Sequence, residues 1–404
     1  MSEPKRVVIV GSGLAGASAA GALRERGYSG EILMLAEQAH RPYELPPLSK
    51  SILLGDAEEP DWVHEEGFYA EHDIDLRLGV SATRVELGAR LVLDSVGDEH
   101  RYDRLLLATG SEPRSLPVPG GDSPGLRTLR TLDDSLALRS AFEGAERVII
   151  VGAGWIGTEA AAAARKHGAE VTVIDQLGGP LVTVLGEAVS AVFHELHNDH
   201  GVTFKLGARV AEFIEDGKGV RLADGTELSA DVVLVAIGAA PRVGLAHAAG
   251  LEIADDGGVC VDAGLRTAAP DVYAVGDIAA HFHPRYGRRV RVEHWQNAKG
   301  QGAHVAGNLI GENEPYTATP YFFSDQYDLG CEYRGLADPD TDELVIRGSL
   351  TAREFIAFWL RDGQVTAAMN VNMWDDGDAL QSLVDSRTTV TAVQLRDAEL
   401  ASLA

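Results

Sequence analysis

The strongest constraint on this chain is a glycine signature that occurs twice, each time closing a short apolar strand. Gly11-Ser12-Gly13-Leu14-Ala15-Gly16 follows Val7-Val8-Ile9-Val10, and Gly152-Ala153-Gly154-Trp155-Ile156-Gly157 follows Val148-Ile149-Ile150-Val151. Glycine triplets arise by chance, so one copy alone would mean little. Both copies here lie between a β-branched strand and an alanine-rich helical segment, which gives each glycine a physical task. The first permits the tight turn, the second lets backbone approach a pyrophosphate, and the third lets helix pack on strand. The helix start then offers N–H groups and positive dipole to phosphate oxygens. Two such units predict two bound dinucleotides, and the chemistry natural to such a pair is electron transfer.

An acid follows each signature at the distance a ribose contact requires. The first unit is predicted to run through a helix over 18–26, broken at Gly27, into a strand at Ile32-Leu33-Met34-Leu35 that ends near Glu37. The second runs through a helix over 158–167, stops at Gly168, and enters Val171-Thr172-Val173-Ile174, ending at Asp175. A carboxylate about twenty residues past the glycines accepts hydrogen bonds from a ribose diol. A surface acid at a strand end is the plainer alternative for both. Asp175 would also repel a 2′-phosphate, and 176–184 holds no Arg or Lys to attract one. The second site is therefore expected to prefer NADH over NADPH.

At 404 residues, 45% of them hydrophobic and 24% charged, the chain is long enough for two or three domains with substantial cores. Residues 1–6 are polar and the apolar run after them stops at Gly11, so no cleaved leader is expected. No stretch reaches the roughly 18 apolar residues of a membrane span. Two cysteines, Cys260 and Cys331, cannot make a disulfide framework, and a reducing, cytoplasmic setting is expected. Their separation also lacks the short spacing of a redox-active pair. A net charge of −26 argues against nucleic acid and anionic membrane as partners. Arg285, Arg288, Arg289 and Arg291 form a local basic run, either a docking patch for an acidic protein or a solvated turn. Monomer and weak homodimer both stay open.

Further along, Arg104-Leu105-Leu106-Leu107-Ala108 ends in Thr109-Gly110 and leads into a Pro-rich link over 113–124. A parallel phrase, Val232-Val233-Leu234-Val235-Ala236-Ile237-Gly238, leads into Ala239-Ala240-Pro241-Arg242. Both place glycine where a buried strand turns beside a ligand at the carboxyl edge of a sheet. With a β-hairpin region in each half, two related domains are predicted, the second inserted into the first. Val272-Tyr273-Ala274-Val275-Gly276-Asp277 reads as a buried strand with a carboxylate at its tip, and a helix over 297–310 completes the first domain. From Tyr321 the pattern turns to alternating strands, at 344–350, 355–360 and 365–374, followed by short helices at 379–384 and 397–403. The expected fold is α/β, with two Rossmann-like dinucleotide-binding domains and a C-terminal α+β domain on an antiparallel sheet. The expected boundaries are 1–112 and 240–317 for the first domain, 113–239 for the second and 318–404 for the third.

Five ordered segments carry a family resemblance: Arg41-Pro42-Tyr43-Glu44-Leu45-Pro46-Pro47-Leu48-Ser49-Lys50, Ala108-Thr109-Gly110, Leu129-Arg130-Thr131-Leu132, Val275-Gly276-Asp277 and Phe323-Ser324-Asp325-Gln326-Tyr327. Over essentially its whole length the chain resembles the two-dinucleotide flavoprotein reductases. It is most similar to the NADH-dependent ferredoxin reductases that serve cytochrome P450 systems and aromatic-ring dioxygenases. The resemblance implies FAD in the first domain and NADH in the second. For FAD it implies Gly11, Gly13, Leu14, Ala15 and Gly16 around the pyrophosphate, Glu37 on the adenosine ribose, and Arg41 and Lys50 on the flavin nucleotide. It adds Thr83, Arg130 and the strand end Ala108, Thr109 and Gly110. Gly276 and Asp277 would meet ribityl hydroxyls, with His294 and Trp295 beside the flavin ring. For NADH it implies Gly152, Gly154, Ile156, Gly157, Asp175, Gly238 and Glu293, with Phe323 near the nicotinamide or the electron exit. Glu159 resembles the family's partner of the lysine, which makes Lys50 and Glu159 the expected catalytic pair. Reduced flavin is an anion, so an ammonium near its ring stabilises the product of hydride transfer. A carboxylate partner keeps a buried lysine charged.

There are three departures from the family pattern. Phe323 stands where a tryptophan is usual, Gly178-Gly179-Pro180 and Thr183 replace an arginine after the ribose acid, and Trp155 is bulky for the inside of a fingerprint. Other clusters read plainly. His194, His197 and His200 recur at helical spacing and are expected to form a polar helix side rather than a metal face. The acidic run 338–343 lacks the glycine and final acid of a calcium loop and reads as a solvated turn. Cys260 reads as inert core, and no metal is expected. The implied reaction passes electrons from NADH through FAD to a small [2Fe–2S] ferredoxin in a transient, charge-steered contact. A rubredoxin reductase, an NADH oxidase or quinone-type reductase, and a redox-gated binding protein remain the alternatives.

Overall fold

The strand before each signature is an unbroken β-branched run because both of its faces are covered: Val7, Val8 and Ile9 have no exposed surface. The computed structural model describes residues 4–403. Residues 1–3 of the stretch in which no leader is expected, and Ala404 at the end of the expected third domain, lie outside the described residues. The chain forms two compact units, each discontinuous in sequence. One comprises Met1–Leu45, Pro60–Glu112 and Ala239–Ala318, the other Pro46–Glu59, Pro113–Gly238 and Thr319–Ala404. The segments 113–239 and 318–404 thus fall largely in one unit, which Pro46–Glu59 joins. Among the described residues, no helix is long and apolar enough to cross a membrane.

The first unit is built on a five-stranded parallel sheet in the order Val272–Ala274, Arg104–Leu107, Arg6–Val10, Glu31–Ala36, Ile74–Leu78. The signature leads into the helix Leu14–Glu25, whose Ala17, Ala19 and Ala20 are fully buried. Small residues there let the helix Trp295–Ile310 approach closely: a side chain at Gly302 would strike the carbonyl of Ala15. A three-stranded antiparallel sheet (Ala82–Glu86, Leu91–Asp94, Glu99–Arg101) completes the unit's hairpin region. Asp94 closes its turn. Its Oδ1 accepts from the N–H groups of Val96 and Asp98 at 3.0 and 2.9 Å, and His100 Nε2 lies 2.8 Å from Oδ2. The grouping of Asp94, Asp98 and His100 is thereby accounted for as a hairpin lock.

The second unit repeats the plan, with a parallel sheet in the order Val202–Leu206, Glu170–Asp175, Arg147–Val151, Val232–Val235, Leu126–Arg127. Register is conserved between the copies. Val10 pairs with Leu35 and Leu107, and Val151 pairs with Ile174 and Val235. Both signatures therefore leave the central strand of a sheet at the same level, where strand order reverses and ligands of such sheets bind.

The C-terminal sheet is antiparallel and has five strands, in the order Tyr321–Gln326, Leu329–Gly335, Gln364–Val371, Glu354–Arg361, Glu343–Ser349. Glu354–Arg361 is buried at every position from 355 to 360, and alternation sorts its side chains into two cores. Phe355, Ala357 and Trp359 pack with Leu185, Val189 and Phe193 of the helix Val182–Asp199, while Ile356, Phe358 and Leu360 pack with Leu380, Leu383 and Leu395. The sequence pattern predicts the last helix at 397–403. The structure instead has Ala392–Asp397 followed by a short 3₁₀ turn, Leu400–Ser402. A capping box explains the shift: Thr391 Oγ1 accepts from Gln394 N–H at 3.3 Å and Gln394 Oε1 accepts from Thr391 N–H at 2.9 Å.

A second correction concerns the histidines. The polar side expected of His194, His197 and His200 fails at its middle: His197 is fully buried, while His194, edge-on to Phe204, and His200, stacked on Tyr327, are half-buried. Tertiary packing covers the centre of the face that the helical spacing suggested was wet. In the first unit His281 is likewise buried. Burial pushes both imidazoles down to about 4, with Gln326 opposing and His200 and His194 assisting at His197, and His283 assisting at His281. An unfolded histidine titrates near 6.5. Between these values the unfolded chain binds protons that the folded chain refuses, so stability is full above about pH 6.5 and falls as pH drops toward 4. Each group contributes about 3 kcal/mol over that window. Denaturation midpoints measured from pH 7 to 4.5 are expected to fall steeply, and His281→Gln is expected to flatten the slope.

Candidate active site

Each signature turns at a glycine whose place no other residue can take. Gly11 has φ +106° and Gly152 φ +110°, and a side chain at either would collide with a backbone carbonyl, that of Ala108 or Ala236. Those carbonyls belong to strand ends held by the Ala108 N–H on Val10 O and the Ala236 N–H on Val151 O, both at 2.8 Å. The following helices start at Gly13 and Gly154, both extended and without a side-chain cap. Neither glycine has an atom within 4 Å of where a Cβ would stand, so each helix start faces open space. Uncapped N–H groups before an open, side-chain-free surface are what a pyrophosphate fits, and both signatures fit a dinucleotide on this test.

The first unit contains several of the expected residues. Gly276 meets Ala15, and its N–H donates to Gln301 Oε1 at 2.8 Å. The adjoining Asp277 is 8% exposed and accepts from Ser111 Oγ at 2.6 Å. Thr109 Oγ1 donates to Arg242 O at 2.7 Å, and Arg242 N–H to Gly110 O at 2.9 Å. Arg242 also grips Glu37, both guanidinium nitrogens meeting the carboxylate, and these hydrogen bonds hold the Glu37 carboxyl below its usual range. The arginine fork on Glu37 is a feature the sequence does not reveal. Arg41 lies 4.1 Å over the Trp62 ring and donates to His64 O at 3.0 Å. Thr83 sits at a register shift, its single hydroxyl hydrogen directed at Leu93 O or Asp94 O. Trp295 Nε1 donates to Glu44 Oε2 at 2.8 Å, His294 caps that helix through Gln296 N–H, and the exposed Glu293 pairs with Arg291.

In the second unit Asp175 is pinned at the cradle: Oδ2 accepts from Ala153 N–H at 2.6 Å and Oδ1 from Leu177 N–H at 2.8 Å. Ile156 is 42% exposed on the helix that follows, and the Gly238 carbonyl accepts from Arg114 N–H at 2.9 Å. Arg130 stands just before the helix Leu132–Glu143, its N–H donating to Asp134 Oδ2 at 3.1 Å. Trp155 now has a reason: its ring meets Phe193 and Phe322 at centroid distances of 5.7 and 4.7 Å, joining the fingerprint helix to the C-terminal sheet.

The expected pair is formed. Lys50 Nζ lies 2.7 Å from Glu159 Oε1, with side chains 16% and 4% exposed. The carboxylate is saturated by two hydroxyls that sequence reading did not single out as site residues, Ser324 Oγ on Oε1 at 2.6 Å and Ser49 Oγ on Oε2 at 2.5 Å. Phe323 contributes its ring 5.2 Å from Lys50 Nζ, a cation–π contact. Three donors repay the desolvation of a buried carboxylate, as an isolated ion pair would not. Both serines lie inside quoted motifs, Leu48-Ser49-Lys50 and Phe323-Ser324-Asp325, and a short polar residue beside an expected charge was the available signal.

Elsewhere, candidate functions dissolve into structure. Arg289 donates to Val261 O and Ala280 O, and Arg291 to Asp277 O, so half of the basic run braces backbone. Cys260 and Cys331 are free and buried, and burial pushes both thiols up, away from thiolate chemistry.

Two open dinucleotide cradles and a buried lysine–glutamate pair define a flavin- and pyridine-nucleotide-dependent oxidoreductase. Residues 5–302 match the family described as pyridine nucleotide-disulphide oxidoreductase, and residues 321–403 match the one described as reductase C-terminal. Within that class the chain belongs to the ferredoxin–NAD(+) reductases. It is 38% identical over 394 residues, 96% of each chain, to the ferredoxin–NAD(+) reductase component of the anthranilate 1,2-dioxygenase system of Burkholderia cepacia. Its fold superposes with a TM-score of 0.94 on the ferredoxin reductase for the CYP199A2 system of Rhodopseudomonas palustris, at 35% identity over 99% of this chain and 100% of that one. On the reductase of the covalent putidaredoxin reductase–putidaredoxin complex the TM-score is 0.93, at 35% identity over 100% and 98%.

Proposed function

We propose that this chain passes electrons from NADH, through FAD, to a small [2Fe–2S] ferredoxin that serves a cytochrome P450 or ring-hydroxylating oxygenase. The observation that carries this reading is the Lys50–Glu159 pair, buried beside the second fingerprint and saturated with donors. Bound FAD would supply the conversion of a two-electron donor into single electrons. The protein supplies placement and charge. For FAD the reading takes the first signature with Glu37, Arg41, Thr83, the strand end 108–110, Asp277 and Trp295, all of the first unit. For NADH it takes the second signature with Ile156, Asp175 and Gly238, all of the second unit. In this reading 1–112 and 240–317 serve FAD, 113–239 serves NADH, and 318–404 contributes to ferredoxin docking, with the chain working in the cytoplasm. Lys50 keeps a positive charge at the flavin, and Glu159 holds that charge in place.

Cytochrome c reduction with and without added ferredoxin tests the acceptor. Strong stimulation by ferredoxin, declining with ionic strength, is the expected result. Fast electron delivery to oxygen or quinone without it would overturn the reading in favour of a small-molecule acceptor. In the same assay kcat/KM is expected to favour NADH over NADPH by about a hundredfold or more, since a 2′-phosphate would face the fixed Asp175 carboxylate without a compensating arginine. A ratio favouring NADPH would remove Asp175 from its role.

A further inference from the structure

Behind the lysine–glutamate pair the second unit holds a continuous chain of buried polar groups. Ser324 has one hydroxyl hydrogen, spent on Glu159 Oε1 at 2.6 Å, so toward Gln326 Nε2, 3.1 Å away, it acts as acceptor. The same amide nitrogen donates to Thr158 Oγ1 at 3.0 Å, and the Thr158 hydroxyl hydrogen turns back onto its own helix, at Gly154 O or Trp155 O. With both N–H bonds of Gln326 directed this way, its Oε1 faces His197 Nε2 at 2.8 Å. His197 must therefore carry its proton on Nε2, leaving Nδ1 as acceptor toward the Tyr327 hydroxyl at 3.4 Å. Along the line His197, Gln326, Ser324 each donor points toward Glu159, while the second N–H of Gln326 is held by Thr158. His197, Gln326, Ser324 and Thr158 are at most 1% exposed, so no water competes for these bonds, and each group's orientation depends on its neighbour's.

We propose that His197 is a positioning residue: through Gln326 and Ser324, its Nε2 proton aims the Glu159 carboxylate that holds Lys50. This rests on the reading of Lys50 given above. An apolar residue at 197 would leave Gln326 Oε1 buried without a donor. The amide would then shift in search of a donor for that oxygen, weakening its N–H bonds to Ser324 and Thr158. The Ser324 hydroxyl would lose the N–H that fixes its direction, and its hydrogen bond to Glu159, and with it the anchor of Lys50, would loosen.

The test compares His197→Leu with His197→Gln, whose amide nitrogen can stand near Nε2. In stopped flow, His197→Leu is expected to slow flavin reduction by NADH about five- to tenfold, the loss of one buried hydrogen bond, with NADH binding unchanged. His197→Gln is expected to recover within about twofold. In a Lys50→Met background His197→Leu is expected to add nothing, because both changes act through one group. Nitrogen-15 NMR of the imidazoles in the FAD-loaded wild-type protein is expected to show His197 neutral with its proton on Nε2. A proton on Nδ1, equal slowing by Leu and Gln, or a full further loss in the Lys50→Met background would overturn the inference while leaving the Lys50 reading intact. If Lys50→Met alone reduced at the wild-type rate, the Lys50 reading would fall and the inference with it. The NMR measurement needs no variant, so a leucine chain that does not fold still leaves the proposal exposed.

Discussion

Lys50→Met is expected to yield a chain that still binds FAD and NADH but whose flavin is reduced by NADH about a hundred- to a thousandfold more slowly, the scale of losing a preorganised charge in a partly desolvated site. Methionine keeps the length and most of the volume of lysine, so packing changes little. What changes is charge. The 2.7 Å partner of Glu159 disappears, leaving its carboxyl group, 4% exposed, to the hydroxyls of Ser49 and Ser324. The ammonium that would stabilise the growing negative charge is then gone. The same change leaves a buried charge without its counter-ion, for which about 3 kcal/mol of stability loss is the expected scale. Rate and stability are separable through Lys50→Met/Glu159→Gln. Neutralising the carboxylate is expected to recover most of the stability but not the rate, as read by denaturation and stopped flow on the same preparations. Recovery of both would mean that lysine matters for folding and not for charge at the flavin.

The second large effect separates the two cradles. Gly11→Ala is expected to give flavin-free, colourless protein, whereas Gly152→Ala is expected to give yellow protein whose KM for NADH rises about a hundredfold or more. Both glycines sit at positive φ, +106° and +110°, which costs an L-residue about 1–2 kcal/mol by itself. A methyl group must also displace the Ala108 or Ala236 carbonyl, and each belongs to a strand end tied at 2.8 Å to the central strand. The loop cannot keep its shape and admit the methyl, so the helix start shifts out of phosphate reach. Flavin content per chain and NADH titration read the two variants independently. Flavin retained at full stoichiometry in Gly11→Ala would remove FAD from the first cradle.

How far the sequence reached depended on the range of the interaction being read. The two signature units were legible to the strand and the helix because turn geometry, β-branched burial and alanine packing act within about thirty residues. The identical pairing of Val10 and Val151 with their flanking strands confirms that one local rule built both. Errors gathered where a face is assigned by something distant. Helical spacing marked His194, His197 and His200 as one side of a helix, but whether that side is wet depends on Phe204 and Tyr327, packed from other elements. Glu37 looked like a lone carboxylate until folding laid Arg242 across it.

The residues of the chain alone determined that two dinucleotide cradles form, which acids follow them, and that no thiol pair of short spacing exists. Tertiary structure decided what surrounds the expected charges. Ser49, Thr158, Glu159, His197, Ser324 and Gln326 come from segments far apart in sequence, and only packing the fingerprint helix against the C-terminal sheet makes them one hydrogen-bonded line. The physical reason is the short reach of a hydrogen bond: at about 3 Å, partners are chosen by the position of whole elements, which no local pattern encodes.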